Sequence, residues 1–185
     1  MKGRGRGAEE ETMEPRIAVV VFPPAEAVAA AEEFRRIHDP LFHKVAAHVT
    51  VVPALGWRTE EEAGPRLVEA LAAAGQGPFP ANLSGVGRTK DGVVFVRVEE
   101  GSATLAALNL RLAAALVPPP GHEPPPYLPV LGIGRTPTPS EAEFLQRQVA
   151  GHLAPVRFSV ESLSLIVEDA RGLWHERERL PLEGR

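Results

Sequence analysis

The sequence predicts an α+β fold of two pseudo-symmetric βαβαβ lobes whose antiparallel-rich sheets face a central cleft. Short apolar runs alternate along the chain with longer amphipathic segments, which is the pattern of strands separated by helices. This order occurs twice, with the first copy beginning at Ile17 and the second at Val93. The third strand of each copy contains a Leu-Ser pair, Leu83-Ser84 or Leu163-Ser164, and then a turn that ends in glycine. We therefore expect two related lobes.

Composition limits the class of protein. The chain has 185 residues, 44% of them hydrophobic, which is enough for one domain with a sizeable core, placed at residues 17–182. Residues 1–16 are rich in glycine, arginine and glutamate and predict a disordered tail. The absence of cysteine excludes disulfides and thiolate chemistry. The net charge of −4 gives no global attraction to nucleic acid, and no apolar run could span a bilayer. We expect a cytoplasmic protein with no membrane partner, and we favour a monomer.

Apolar periodicity and turn residues set the bounds of the elements. Val28, Ala31 and Phe34 form one stripe of a helix, which the sequence His38-Asp39-Pro40 then breaks. The first copy is predicted to contain strand 17–22, helix 25–36, a strand at 47–53, helix 58–74 and strand 79–86. The second is predicted to contain strand 93–98, helix 102–116, strand 127–134, helix 139–152 capped by Thr138, a long strand segment at 156–167 and a closing strand at 173–179.

The stretch 47–53 carries the candidate chemistry. Its β-branched valines predict a short buried strand. Side chains alternate between the two faces of a strand, so His48 and Thr50 share one face while Val49 points into the core. An imidazole beside a hydroxyl can bind a phosphate oxygen and move a proton. The alternative interpretation is a histidine whose hydrogen bonds are satisfied within the core.

Two blocks of sequence point to a known family. The segment His48-Val49-Thr50-Val51 has the form His-x-Thr-x with x hydrophobic, and it follows an Asp-Pro loop. The block 127–135 fits the pattern Pro-His-x-Thr-x-Gly-Arg, except that Val130 replaces the histidine and Gly132 the threonine. Over about residues 17–182 the chain resembles the two-histidine (2H) phosphoesterases, which include 2′-5′ RNA ligases and 2′,3′-cyclic phosphodiesterases. The resemblance implies the bilobal fold of that family.

The resemblance also implies a metal-free mechanism that needs both motifs. One histidine is the general base, the other protonates the leaving ribose oxygen, and two threonine hydroxyls hold the phosphate. It implies His48 and Thr50 as catalytic residues and Arg135 as a substrate-binding residue, with no cofactor and no metal. We expect a nucleotide or RNA terminus with a 2′,3′-cyclic or 2′-5′ phosphodiester as the ligand, and weak or lost activity because the second motif is replaced. The alternative is a non-catalytic nucleotide- or RNA-end-binding module on the same fold.

Other residues leave further alternatives open. The intervals between His38, His43 and His48 could indicate a zinc site, although a strand and a loop do not enforce convergence of the ligands. His122 lies in a proline-rich loop and could swing in as a substitute acid, or it could be a solvated loop histidine. Trp57 could pack against the core or stack on a base.

Overall fold

The computed structural model describes residues 16–56, 60–116 and 126–184. Within these ranges the elements are β1 (Arg16–Val21), α1 (Ala25–His38), β2 (Val49–Gly56), α2 (Glu60–Ala74), β3 (Phe79–Arg88), β4 (Val93–Val98), α3 (Ser102–Leu116), β5 (Val130–Arg135), α4 (Pro139–His152), β6 (Val156–Val160), β7 (Ser162–Glu168) and β8 (Trp174–Pro181). The predicted α+β class is confirmed, while the predicted tail at 1–16 lies outside the described residues except for its last residue, which opens β1. None of the described helices is long and apolar enough to cross a membrane.

The described strands form one sheet of order β6-β3-β4-β5-β2-β1-β7-β8, in which every neighbouring pair is antiparallel. The sheet divides between β5 and β2 into two halves of matching strand order. The halves exchange their third strands, because β3 of the first copy pairs with β4 and β7 of the second copy pairs with β1. Gly92 and Gly172, in the turns after β3 and β7, have φ of 89° and 76°, a left-handed conformation that favours glycine.

The segment 156–167, predicted as one strand segment, is two strands. Only Glu161 separates β6 from β7, yet β6 forms one edge of the sheet and β7 lies next to the opposite edge. The sheet must therefore curl until its two ends approach each other. The sequence contains the cause, because the core residues have even numbers up to Val160 and odd numbers from Leu163. Such a shift of phase moves the buried side chains to the other face of a continuous strand.

One face of the sheet packs against the helices. Val49 and Val51 of β2 and Leu131 and Ile133 of β5 are at most 1% exposed, and they join the buried helix stripes in the main core. α1 packs on β5 and α3 packs on β2, so the first helix of each copy lies over the central strand of the other. The opposite face of β2 and β5 remains open to a cavity.

The end of α1 lies directly on β5 at Gly134. A Cβ atom at this position would stand 2.6 Å from Cβ of His38 and 2.8 Å from its carbonyl oxygen. Both distances are shorter than side chains tolerate, so the close approach of the two backbones requires glycine. This contact fixes where the loop that follows α1 starts on its way to β2.

The predicted cap of α4 is confirmed. The Glu141 backbone N–H donates to Oγ1 of Thr138 at 3.3 Å, and the Thr138 backbone N–H donates to the Glu141 carboxylate at 3.1 Å. These reciprocal bonds form a capping box, which satisfies donors that the first turn of a helix leaves free. α4 then runs across β3 and β4.

Candidate functional site

A cavity lies at the centre of the sheet, where β2 and β5 meet. Its volume is about 370 Å³. His48 and Thr50 line it from the side of β2, and Arg135 lines it from the end of β5. The structure thus brings together the three site residues that the sequence indicated, although their roles remain predictions. Val130 and Gly132, which replace the histidine and threonine of the second motif, line the same cavity.

The register between β2 and β5 explains this arrangement. The central residue of His48-Val49-Thr50 pairs with Leu131. In an antiparallel pair the neighbours on either side face each other, so the histidine lies alongside Gly132 and the threonine alongside Val130. Facing residues project to the same side of the sheet. The cavity floor therefore consists of one polar strand and one strand without a polar side chain.

His48 is half-buried and lies directly before β2, whose first residue is Val49 rather than the predicted residue 47. Its Nδ1 atom is 2.8 Å from the carbonyl oxygen of Ala46. A carbonyl oxygen only accepts hydrogen bonds, so Nδ1 is the protonated nitrogen and Nε2 carries the free lone pair of the neutral ring. The ring also meets Phe22 edge-on, with 6.3 Å between the ring centroids. Both contacts hold the imidazole in one orientation.

The surroundings of His48 favour its neutral form. Burial lowers the pKa of the imidazole below its ordinary value of 6.5, and the nearby positive charge of Arg35 lowers it further. The hydrogen bond to Ala46 and the carboxylates of Asp39 and Glu32 raise the pKa and offset part of this shift. At pH 7 the ring is therefore a proton acceptor, as a general base or a hydrogen-bond acceptor requires.

Tyr127 holds β2 from the segment that precedes β5. Its hydroxyl donates to the carbonyl oxygen of Thr50 at 3.0 Å. Burial raises the pKa of Tyr127, so this donor stays protonated at any physiological pH. The Thr50 side chain itself makes no hydrogen bond to another residue in the part of the chain that the structure describes. Its hydroxyl can therefore serve a ligand in the cavity.

Arg135 is an exposed cation at the rim of the cavity. Its Nη2 atom lies 3.5 Å from Oδ2 of Asp91, and both side chains are more than half exposed. An exposed ion pair of this length contributes little, because water screens it. The guanidinium can therefore turn from Asp91 to a bound anion, and its fork of donors suits two phosphate oxygens.

The second motif supplies no group that transfers a proton. Val130 has an aliphatic side chain, and Gly132 has none. A Cβ atom built at Gly132 would meet no other atom within 4 Å. The structure therefore leaves open the space that a threonine side chain would occupy.

Sequence analysis assigned no role to Arg35, which lines the cavity although its residue is only 2% exposed. Its guanidinium forms ion pairs with Glu32 and Asp39. A signal was present in the sequence, because Arg35 continues the buried stripe of Val28 and Ala31 at helical spacing. A charged residue on such a stripe indicates a buried partner.

The remaining alternatives find no site in the described residues. His122 and Trp57 both lie outside them. In the described ranges no three or more histidine, cysteine, aspartate or glutamate side chains are grouped so that they could hold a metal ion. His38 and His43 therefore form no such group with His48.

Comparison with known proteins identifies the family. The model of the 2′-5′ RNA ligase superfamily matches residues 23–172. Escherichia coli LigT complexed with 3′-AMP is similar with a TM-score of 0.65 and 20% identity, over 91% of this chain and 99% of LigT. Kluyveromyces marxianus Usb1 with uridine monophosphate is similar with a TM-score of 0.52 and 15% identity, over 92% of this chain and 99% of Usb1. No curated protein sequence matches the chain. Because the family model spans most of its length, the chain belongs to the 2′-5′ RNA ligase superfamily.

Proposed function

We propose that the chain binds the phosphate of a nucleotide or RNA terminus with a 2′,3′-cyclic or 2′-5′ phosphodiester, and that it cleaves this bond weakly or not at all. One observation carries the proposal. His48, Thr50 and Arg135 line a single cavity, whose facing strand presents Val130 and Gly132 instead of a second histidine and threonine. The site is therefore half of a two-motif phosphoesterase site.

The retained half has the groups that a phosphate needs. The Thr50 hydroxyl donates to one non-bridging oxygen, and the Arg135 guanidinium donates two parallel hydrogen bonds. Hydrogen bonds to a charged group contribute about 1.5–3 kcal/mol each. His48, neutral at pH 7, accepts a proton from a ligand hydroxyl or from water at Nε2.

Cleavage needs more than the retained half. A proton must leave the attacking hydroxyl or water, and another must reach the leaving ribose oxygen. His48 can do one of these tasks, and no described residue of β5 that lines the cavity does the other. Losing one acid–base partner costs roughly 10²–10⁴-fold in rate.

The two similar structures support a nucleotide as the ligand. LigT was solved with 3′-AMP and Usb1 with uridine monophosphate. Both ligands are nucleoside monophosphates. The cavity of about 370 Å³ is within the usual range for small-molecule sites.

A non-catalytic nucleotide- or RNA-end-binding module is the second candidate. The empty space at Gly132 favours it, because no side chain has taken over the lost phosphate contact there. The two candidates share a ligand and differ only in turnover.

Calorimetric titration with 3′-AMP and with 2′,3′-cyclic AMP tests the shared part. We expect His48→Ala and Thr50→Val each to weaken binding about tenfold, the effect of one lost charge-assisted hydrogen bond. The control is His43→Ala, which removes an exposed histidine of the same loop that does not line the cavity. Equal affinities for all four proteins, or no binding at all, would contradict the proposal.

Incubation of the wild-type protein with 2′,3′-cyclic AMP separates the two candidates. Slow hydrolysis that disappears in His48→Ala identifies a weak phosphoesterase. Binding without any turnover identifies the non-catalytic module.

A further inference from the structure

Arg35 is the one charged side chain that is buried among the residues that the structure describes. Placing a guanidinium inside a protein costs several kcal/mol unless its hydrogen bonds are satisfied. All three nitrogen atoms have a partner: Nε donates to Asp39 Oδ2 at 2.8 Å, Nη1 to Glu32 Oε1 at 2.8 Å and Nη2 to the Val45 carbonyl oxygen at 2.9 Å. We call Glu32, Arg35 and Asp39 the α1 network.

The α1 network binds the loop that leads to His48 at three points. The Leu41 backbone N–H donates to Asp39 Oδ1 at 2.9 Å. The Val45 carbonyl oxygen accepts from Arg35, and the Ala47 backbone N–H donates to Glu32 Oε1 at 2.7 Å. The loop has no regular secondary structure of its own, so these side-chain bonds replace the ladder that would otherwise hold it.

Two of these points flank the carbonyl group that orients His48. Ala46 lies between Val45 and Ala47, and its oxygen is the acceptor for Nδ1 of His48. With the residues on both sides held, the Ala46 carbonyl has a fixed direction. That direction selects the Nδ1-protonated tautomer, so that Nε2 is the nitrogen left for the cavity.

We propose that Arg35 is a positioning residue, which fixes the backbone of residues 45–47 through the α1 network and so sets the tautomer and orientation of the His48 ring. Arg35 has no nitrogen left for a ligand, so it acts through His48. The charges that surround His48 within the described residues are Arg35, Glu32 and Asp39. The inference rests on the proposed function only for its ligand readout.

The first test is the tautomer of His48, read from its ¹⁵N ring shifts by NMR in the full-length protein without ligand. In wild type we expect the Nδ1-protonated form. Arg35→Lys keeps the charge but cannot make three bonds with the geometry of a guanidinium, so we expect a mixture of tautomers. Glu32→Ala, at a side chain that is 30% exposed, should give the same mixture if Arg35→Lys does not fold.

The matched control is Asn109→Ala. Asn109 is also a buried polar residue, and its Nδ2 donates to the Val51 carbonyl oxygen of β2 at 2.7 Å. Its loss should lower stability without changing the His48 tautomer. Wild-type ring shifts in both Arg35→Lys and Glu32→Ala would overturn the proposal. Equal shifts of the ring signals in Asn109→Ala would overturn it as well.

The second readout is the dissociation constant for 3′-AMP. We expect Arg35→Lys to weaken binding about tenfold, since a displaced group at a site loses one to two orders of magnitude. Asn109→Ala should stay within about twofold of wild type. If wild type does not bind 3′-AMP, the proposed function fails, while the tautomer experiment still decides whether Arg35 positions His48.

Discussion

The central strands β2 and β5 differ on one face only. On the cavity face, β2 places His48 and Thr50 while β5 places Val130 and Gly132. On the other face, the alternate residues of both strands are aliphatic and buried in the main core. The two strands are neighbours in one sheet and occupy equivalent places in its two halves.

The comparison shows why the second half could change without loss of the fold. A buried aliphatic side chain contributes about 1.5–3 kcal/mol, so the core face is constrained by stability. The cavity face contributes little to packing, and its residues are constrained only by chemistry. The chemistry also needs support from outside the strand, which the α1 network and Tyr127 give to β2.

Restoring the second motif should have the largest effect. We expect Val130→His combined with Gly132→Thr to increase hydrolysis of 2′,3′-cyclic AMP by about 10²–10⁴-fold, because it supplies an acid–base partner and a phosphate hydroxyl. Product formation followed by chromatography measures it. The control is Val130→Leu with Gly132→Ala, which fills the same positions without chemistry. No gain in a folded double variant would mean that β5 has lost more than two side chains.

The two faces of β5 should differ in their effect on stability. Leu131 is fully buried, so Leu131→Ala should reduce the free energy of unfolding by about 2–5 kcal/mol. Val130 lines the cavity and is only partly buried, so Val130→Ala should cost less than about 1 kcal/mol. Urea denaturation measures both. Similar losses at the two positions would refute the assignment of faces.

Two glycines of β5 form a second matched pair. Gly134→Ala should destabilise the protein by about 1–3 kcal/mol, because the added methyl group meets the backbone of His38. Gly132→Ala adds its methyl group to open space and should change stability by less than about 0.5 kcal/mol. Thermal denaturation of the two variants under one condition makes the comparison. A larger loss for Gly132→Ala would contradict the packing of α1 on β5.

The smallest expected effect is on the pH dependence of stability. Because burial lowers the pKa of His48 below 6.5, the unfolded chain binds more protons there than the folded protein. The stability of wild type should therefore fall, relative to His48→Gln, as the pH decreases below 6.5, and the difference should level off below the folded pKa. Urea denaturation between pH 5 and 8 measures this difference, for which we expect roughly 1 kcal/mol or less. A constant difference across the range would contradict the pKa direction.

Local patterns predicted much of this molecule. The His-x-Thr spacing placed His48 and Thr50 on one face, and the cap at Thr138 depends on a residue three positions away. The exchange of third strands and the α1 network could not be predicted in this way. They depend on contacts between distant segments, and Arg35 shows its function only once the loop from Asp39 to β2 has a path. The split at Glu161 was visible as a shift of phase and was overlooked.

A crystal structure with 3′-AMP bound tests the central claim most directly. The half-site account predicts the phosphate beside His48 Nε2 and the Thr50 hydroxyl, with the Arg135 guanidinium turned from Asp91 towards it. It also predicts no protein donor from Val130 or Gly132. A phosphate bound outside this cavity, or an empty cavity at saturating 3′-AMP, would contradict the account.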